Sequence, residues 1–238
     1  MTGLKFKLLV ALMIVGTACY VAFLEVQASD DSDEQVSNAA VWSPTDQQIR
    51  SLDQQCRNNL AQNYSECFIA SMPDLGASEE AVSFTRDYAE QNHGTVAILR
   101  GFHPMDAVDL GYVYFPAGHE MRQGWFLLNG FPSLINVDEL DRLPETPMRN
   151  HPLWNELQKR FPKLQLSLDD SERLQDAVPQ LERLDDGSQR FIIQYPLRDG
   201  CRSCALAGHA SFSFDFDASG RLVVVRFVGI APAQKKGS

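Results

Sequence analysis

The chain has 238 residues, 44% of them hydrophobic, and a formal net charge of −10. The apolar fraction is that of an ordinary globular protein and excludes wholesale disorder. The acidity excludes nucleic acid as a partner, because a phosphate backbone would be repelled by that field.

Lys5 and Lys7 precede an uncharged run over residues 8–24, followed by Glu25 and the tripeptide Val26-Gln27-Ala28 before Ser29. A positive start, an apolar run and a small-residue cleavage site stand in the order of a secretory signal, so residues 1–28 are expected to direct export and to be cleaved after Ala28. The run is longer than most signal cores and slightly short of a spanning helix, which makes an uncleaved anchor the rival reading. A third reading is lipidation of Cys19 after Gly16-Thr17-Ala18. The expected location is extracytoplasmic, periplasmic or secreted, with the membrane reached only through the N-terminal segment if it is uncleaved or lipidated. Without residues 1–28 the chain keeps 19 basic and 30 acidic residues, a net charge of −11. Residues 29–41, with Asp30, Asp31, Asp33 and Glu34, read as a flexible acidic tether, and residues 42–238 as a single globular domain.

Along that domain, Ser43-Pro44-Thr45-Asp46 reads as a helix start with Ser43 as cap and Pro44 at the first helical position. Ile49, Leu52, Cys56 and Leu60 then share a helix face. A break is expected at Asn63-Tyr64-Ser65, just before Cys67. A second helix opens at Ser78 with Glu79 and Glu80 and stops at Gly94. From Thr95 the period becomes strand-like, with strands expected over 95–102, 109–115 and 124–138 and a turn at Asn129-Gly130. Residues 143–150, with Pro144 and Pro147, are the place for a seam if the domain has one. Then come a helix over 151–161, a strand over 163–168, a helix over 171–184 interrupted by Pro179, and a strand over 189–196. Phe212, Phe214 and Phe216 alternate with Ser211, Ser213 and Asp215, a strand with one covered and one wet face; a turn at Asp217-Ala218-Ser219-Gly220 leads to its return over 222–228. Helices first and neighbouring strands after predict an α+β fold, N-terminal helices packed on a mainly antiparallel β-sheet and stapled by disulfides.

Cys56, Cys67, Cys201 and Cys204 make an even number of thiols in an oxidising compartment. Three pairings exist, and proximity favours Cys56 with Cys67 and Cys201 with Cys204. A zinc site from these four is disfavoured because oxidation competes for them. The spacing of Cys201-Arg202-Ser203-Cys204 is that of thiol oxidoreductases, whose first cysteine opens a helix. Here a strand and an Asp-Gly turn precede it and a strand follows, and only 34 residues remain after Cys204. A small structural staple is therefore the leading expectation and a redox pair the alternative.

His103-Pro104-Met105 and His119-Glu120-Met121 pair imidazole with thioether, a set that suits copper. Surface histidines and gap-filling methionines explain the same residues more simply. Residues 215–220 match the first half of a calcium loop, but Arg226 stands where its bidentate Glu belongs, so a hairpin turn is the better reading. No nucleophile elbow, phosphate loop or zinc-protease helix occurs. The functional expectation is an exported cell-envelope binding or interaction protein, non-catalytic and without a cofactor, whose partner is another envelope or secreted protein. The alternative is an extracytoplasmic thiol-disulfide redox or metal-binding protein built on Cys201 and Cys204. Tyr112, Tyr114, Phe115, Trp125 and Phe131 are candidate surface aromatics, although aromatics at strand spacing more often fill cores.

Overall fold

In a computed structural model the described residues are 35–59, 61–116, 122–167, 178–201 and 203–233. The signal segment, the acidic part of the tether, His119 and Met121 lie outside them.

The described chain is tied down from Val36 onward, inside the stretch whose composition reads as tether. Val36 is gripped by the side-chain amide of Asn129, which accepts its N–H at 2.8 Å and donates to its carbonyl at 2.7 Å. Ala40 and Trp42 are buried. Helix α1 (Asp46–Asn58) starts two residues later than a Ser43 cap would place it. Thr45 is the cap: its hydroxyl accepts the Gln48 N–H and the Gln48 side chain accepts the Thr45 N–H, so two orphan donors are satisfied at once. Ser43 instead donates its hydroxyl to the Arg100 carbonyl. Ile49, Leu52 and Cys56 face inward as their spacing predicts.

Cys67 lies within helix α2 (Tyr64–Ser71), not in a returning loop. Asn63 caps that helix by accepting the Glu66 N–H. The segment has no clear apolar stripe, which is why the sequence shows a break there and no helix. Helix α3 (Glu79–Gln91), capped by Ser78, agrees with expectation.

Two antiparallel sheets follow. The first has the order β1-β2-β3-β4, formed by β1 (Ile98–His103), β2 (Asp109–Phe115), β3 (Arg122–Leu128) and β4 (Leu134–Asn136). One of its faces carries Leu99, Val113, Phe126 and Leu128 against Phe84 and Tyr88 of α3. Ile98 and Tyr114 pack into the cluster that α1 and α2 build around Ile49, Leu52 and Phe68. Leu110, Trp125, Leu127 and Ile135 meet the second sheet.

In the chain, two short helices separate the strands of the first sheet from those of the second, α4 (Glu145–Arg149) and α5 (Pro152–Arg160), so the stretch over 143–150 holds a helix; its Met148 and the preceding Leu143 are buried. The second sheet comprises β5 (Leu164–Leu166), β6 (Gln180–Arg183), β7 (Gln189–Asp199), β8 (Leu206–Phe216) and β9 (Leu222–Pro232). Its order is β5-β7-β8-β9, with β6 also paired to β7.

The helix expected over 171–184 is corrected at its described end: residues 180–183 are β6, and residues 168–177 lie outside the described set. Pro179 disrupts the helical frame there, and Gln180-Leu181-Glu182-Arg183 alternates its polarity, so pairing with β7 satisfies the backbone and turns Leu181 toward the core. The fold is α+β with two disulfides. Among the described residues no helix is long and apolar enough to cross a membrane.

Phe212, Phe214 and Phe216 point inward with Phe191, Ile193 and Tyr195, as the alternation requires. The opposite face is less wet than expected: Ser213 is 2% and Asp215 8% exposed. Both are enclosed by ion pairs that cross four strands. Arg190 on β7 grips Asp215 on β8 through two bonds of 2.8 and 3.0 Å and lies 3.7 Å from Glu182 on β6, while Arg226 on β9 stands 3.6 Å from Asp215.

Candidate functional site

Four connections meet at one end of the two sheets. They are the β1–β2 loop around Ala107, the β3–β4 turn at Asn129-Gly130-Phe131, the β6–β7 turn at Gly187 and the β8–β9 turn at residues 217–220. Asp217 fixes the last of these: its side chain accepts the N–H groups of Ser219 at 2.9 Å and Arg221 at 3.0 Å and the Ser219 hydroxyl at 2.6 Å. The Ser219 hydroxyl and these backbone donors hold the Asp217 carboxyl below the usual carboxylate range. Gly220 stands with φ +79°, where a Cβ would come within 3.0 Å of the Ala107 carbonyl oxygen. A Cβ on Gly130 would stand 2.8 Å from the Gly220 carbonyl oxygen. Glycine at 130 therefore lets the β3–β4 turn approach the β8–β9 turn, and glycine at 220 lets the β8–β9 turn approach the β1–β2 loop.

That approach sets Phe131. Its N–H donates to the Gly220 carbonyl at 2.8 Å, and its carbonyl accepts the Leu222 N–H at 2.9 Å, so its backbone is bridged to the start of β9. The ring is left outside, 61% exposed, with the Arg221 guanidinium 4.7 Å from its centroid. Val223, 62% exposed, stands two residues beyond Arg221. Most apolar surface in proteins is scattered, but an aromatic ring and an arginine held together on a fixed backbone is the composition of binding hot spots.

The platform is braced from behind by two side-chain amides that act as short strands. Asn129, at φ 63°, holds Val36 as described and also donates to Asp109 at 2.6 Å. Gln189, 1% exposed, accepts the Val108 N–H at 2.8 Å and donates to the Val108 carbonyl at 3.1 Å. Asp109 accepts the Met105 N–H at 2.7 Å.

Of the aromatics considered as surface candidates, only Phe131 is strongly exposed. Tyr114 and Trp125 are core residues, and Tyr112 and Phe115 are half-buried. His103 is exposed at the end of β1 with its ring 6.0 Å from that of Trp125, and Met105 packs partly buried against the core. The partner triplet, with His119 and Met121, lies outside the described residues. Among the described residues no group of three or more His, Cys, Asp or Glu side chains is placed to hold a metal ion. The partial calcium-loop match is spent on other contacts: Asp215 is held by Arg190 and Asp217 by its own turn. Burial pushes the Asp215 carboxyl up, but the bonds from Arg190 and Ser213 and the charges of Arg190 and Arg226 outweigh it and hold it below the usual range.

The four cysteines form two bridges, Cys56–Cys67 and Cys201–Cys204, with Cα atoms 5.5 and 5.0 Å apart. The first is enclosed between α1 and α2, its residues 2% and 3% exposed. A shallow depression of about 470 Å³ lined by Cys56, Arg57, Asn59, Gln62 and Tyr64 lies at that elbow. Tyr64 donates its hydroxyl to Asp53 at 2.8 Å, and burial together with that bond pushes the phenol well above the usual tyrosine range. The second bridge closes a β-turn between β7 and β8, in which the Cys204 N–H donates to the Cys201 carbonyl at 3.1 Å. Cys201 does not open a helix. Sequence reasoning missed Arg221, Gln189 and the side-chain role of Asn129, since their partners are far away in the chain and no local pattern marks them.

Comparison with protein-family models, with curated proteins and with solved structures found no match to this chain.

Proposed function

We propose that this is an exported binding protein of the cell envelope that engages another envelope or secreted protein through Phe131 and Arg221. The single observation that supports this reading is the exposed Phe131 ring under the Arg221 guanidinium, presented on a backbone bridged to β9. The signal-like N-terminus and the two disulfides fit an oxidising compartment, periplasmic or secreted. Arg221 at the edge of an aromatic anchor favours a partner with an apolar pocket and an acidic rim.

The test uses a photo-crosslinking residue at the exposed position 223, two residues beyond Arg221, in purified protein mixed with envelope extract, with Phe131→Ala and Arg221→Glu introduced on the same background. One partner should crosslink to the parent, and each variant should bind it at least about 30-fold more weakly while keeping its circular dichroism, since hot-spot truncation costs about 2 kcal/mol or more. Equal capture by parent and variants, or no saturable partner, would sink the proposal.

A further inference from the structure

The two disulfides differ in a way that stability does not explain. Cys56 and Cys67 are buried among core side chains and join two helices across 11 positions of sequence. Cys201 and Cys204 span only 3 positions, and the strands they join are already held without them. β7 and β8 pair from Gln189 with Phe216 up to Arg198 with Leu206, and beyond that the Asp199 N–H donates to the Ala205 carbonyl at 3.3 Å. Closing so small a loop stabilises less, by chain entropy, than closing the longer loop of the first bridge, and it constrains a turn that the ladder already closes.

Its surroundings are those of a reactive sulfur pair. Cys201 is exposed, and its Sγ lies 3.6 Å from the hydroxyl of Ser203, which is exposed as well. Cys204 is half-buried. Beneath the turn lies Arg198, 7% exposed, whose Nη1 donates to the Cys204 carbonyl at 2.9 Å and so keeps a guanidinium against that residue. A nearby arginine favours thiolate over thiol, and exchange runs fastest when the attacked sulfur is open and the departing one leaves as a stabilised thiolate.

From this arrangement we infer that Cys201–Cys204 is a thiol–disulfide exchange site, with Cys201 Sγ as the atom attacked and Cys204 as the leaving group. An external thiolate, the class represented by glutathione, gives its electron pair to Cys201 Sγ. A mixed disulfide forms there as the Cys201–Cys204 bond breaks, and the electron pair of that bond leaves on Sγ of Cys204, the residue whose carbonyl Arg198 holds. A second thiolate attacks the external sulfur of the mixed disulfide and expels Cys201 as a thiolate. The two external thiols end as a disulfide, oxidised by two electrons, and the protein's bridge is reduced by two. Run in this direction the site oxidises thiols, and in reverse it is reoxidised by a disulfide. The site is independent of the Phe131 surface, and neither reading needs the other.

Purified protein is equilibrated over a series of reduced to oxidised glutathione ratios, quenched with an alkylating agent and mapped by mass spectrometry, with circular dichroism followed in parallel. Cys201–Cys204 should open at a ratio at least about tenfold less reducing than Cys56–Cys67, with the fold intact. Cys204→Ser should collect a glutathione adduct on Cys201 at least about tenfold faster than Cys201→Ser collects one on Cys204. Arg198→Gln should slow the first attack at neutral pH and Arg198→Lys should restore it; if Arg198→Gln does not fold, the pH dependence of Cys204 alkylation in the reduced parent should instead place that thiol below the ordinary cysteine range. Joint opening of both bridges, opening only on unfolding, or equal adduct rates on the two cysteines would overturn the inference.

Discussion

Single side chains in this protein do structural work at a distance. Asn129 sits at φ 63°, a conformation that asparagine tolerates better than most residues, and its amide satisfies Val36 on both backbone groups while donating to Asp109. Asn129→Asp removes the donor and sets a carboxylate against the Asp109 carboxylate. Stability should fall by about 2–3 kcal/mol in urea titration, because two acceptors lose their partner in a half-buried site. Asn129→Gly keeps the backbone conformation but loses the amide, and should lie between the two. The sequence marks this residue only as a turn former, since its reach to Val36, 93 positions away, has no local signature.

Asp215 makes a pH prediction. Its folded carboxyl titrates below the usual range, so its ion pairs stabilise the fold above the ordinary carboxylate pKa, and that contribution is lost as pH falls through the depressed value. Asp215→Asn should therefore cost about 1–3 kcal/mol at neutral pH and progressively less in acid, where the parent has lost the same charge. Denaturation curves for the two proteins that stay equally separated down to strongly acid pH would rule out this role.

At the scale of elements, the disulfides should part company. Replacing Cys56 and Cys67 together by Ser should cost about 3 kcal/mol from chain entropy, with two hydroxyls left in a buried site adding to the loss. Replacing Cys201 and Cys204 should cost clearly less, because the β7–β8 ladder remains and Cys201 is exposed. Thermal melts of the two double variants under identical buffer check the order. The elements that were legible in advance are those with strong period and clear caps: α3 behind Ser78, β2 over its whole length, and the Phe212–Phe216 alternation. Those that were not legible follow tertiary contacts. α2 has no stripe to reveal it, and β6 is a strand because β7 offers it a partner.

β9 shows how such contacts shape an edge. Its register against β8 slips at Val223 and again at Val228, the two residues of the strand with the largest exposed apolar surface. An extra residue at each slip twists an edge strand and blunts its pairing with other chains. Phe131 had no such local marker for exposure. It lies in a run rich in aromatic and β-branched residues, and its backbone bonds to Gly220 and Leu222, distant in the chain, hold it where its ring is exposed.

For the molecule as a whole, the decisive contact is between the sheets. Phe191, Phe212 and Phe214 of the second sheet share one core with Leu110, Trp125 and Leu127 of the first, and Gln189 ties the sheets by bonding both backbone groups of Val108. An interface that is both apolar and hydrogen-bonded leaves neither sheet able to keep its inner face covered alone. Phe214→Ala empties that shared core and should cost about 3–5 kcal/mol. If the two sheets unfold as one unit, near- and far-ultraviolet transitions of the variant should still coincide, and amide protection in β2 and β8 should fall by the same factor. Loss of protection confined to β7 and β8, with β2 unchanged, would mean that the sheets are separate cooperative units in spite of the core they share.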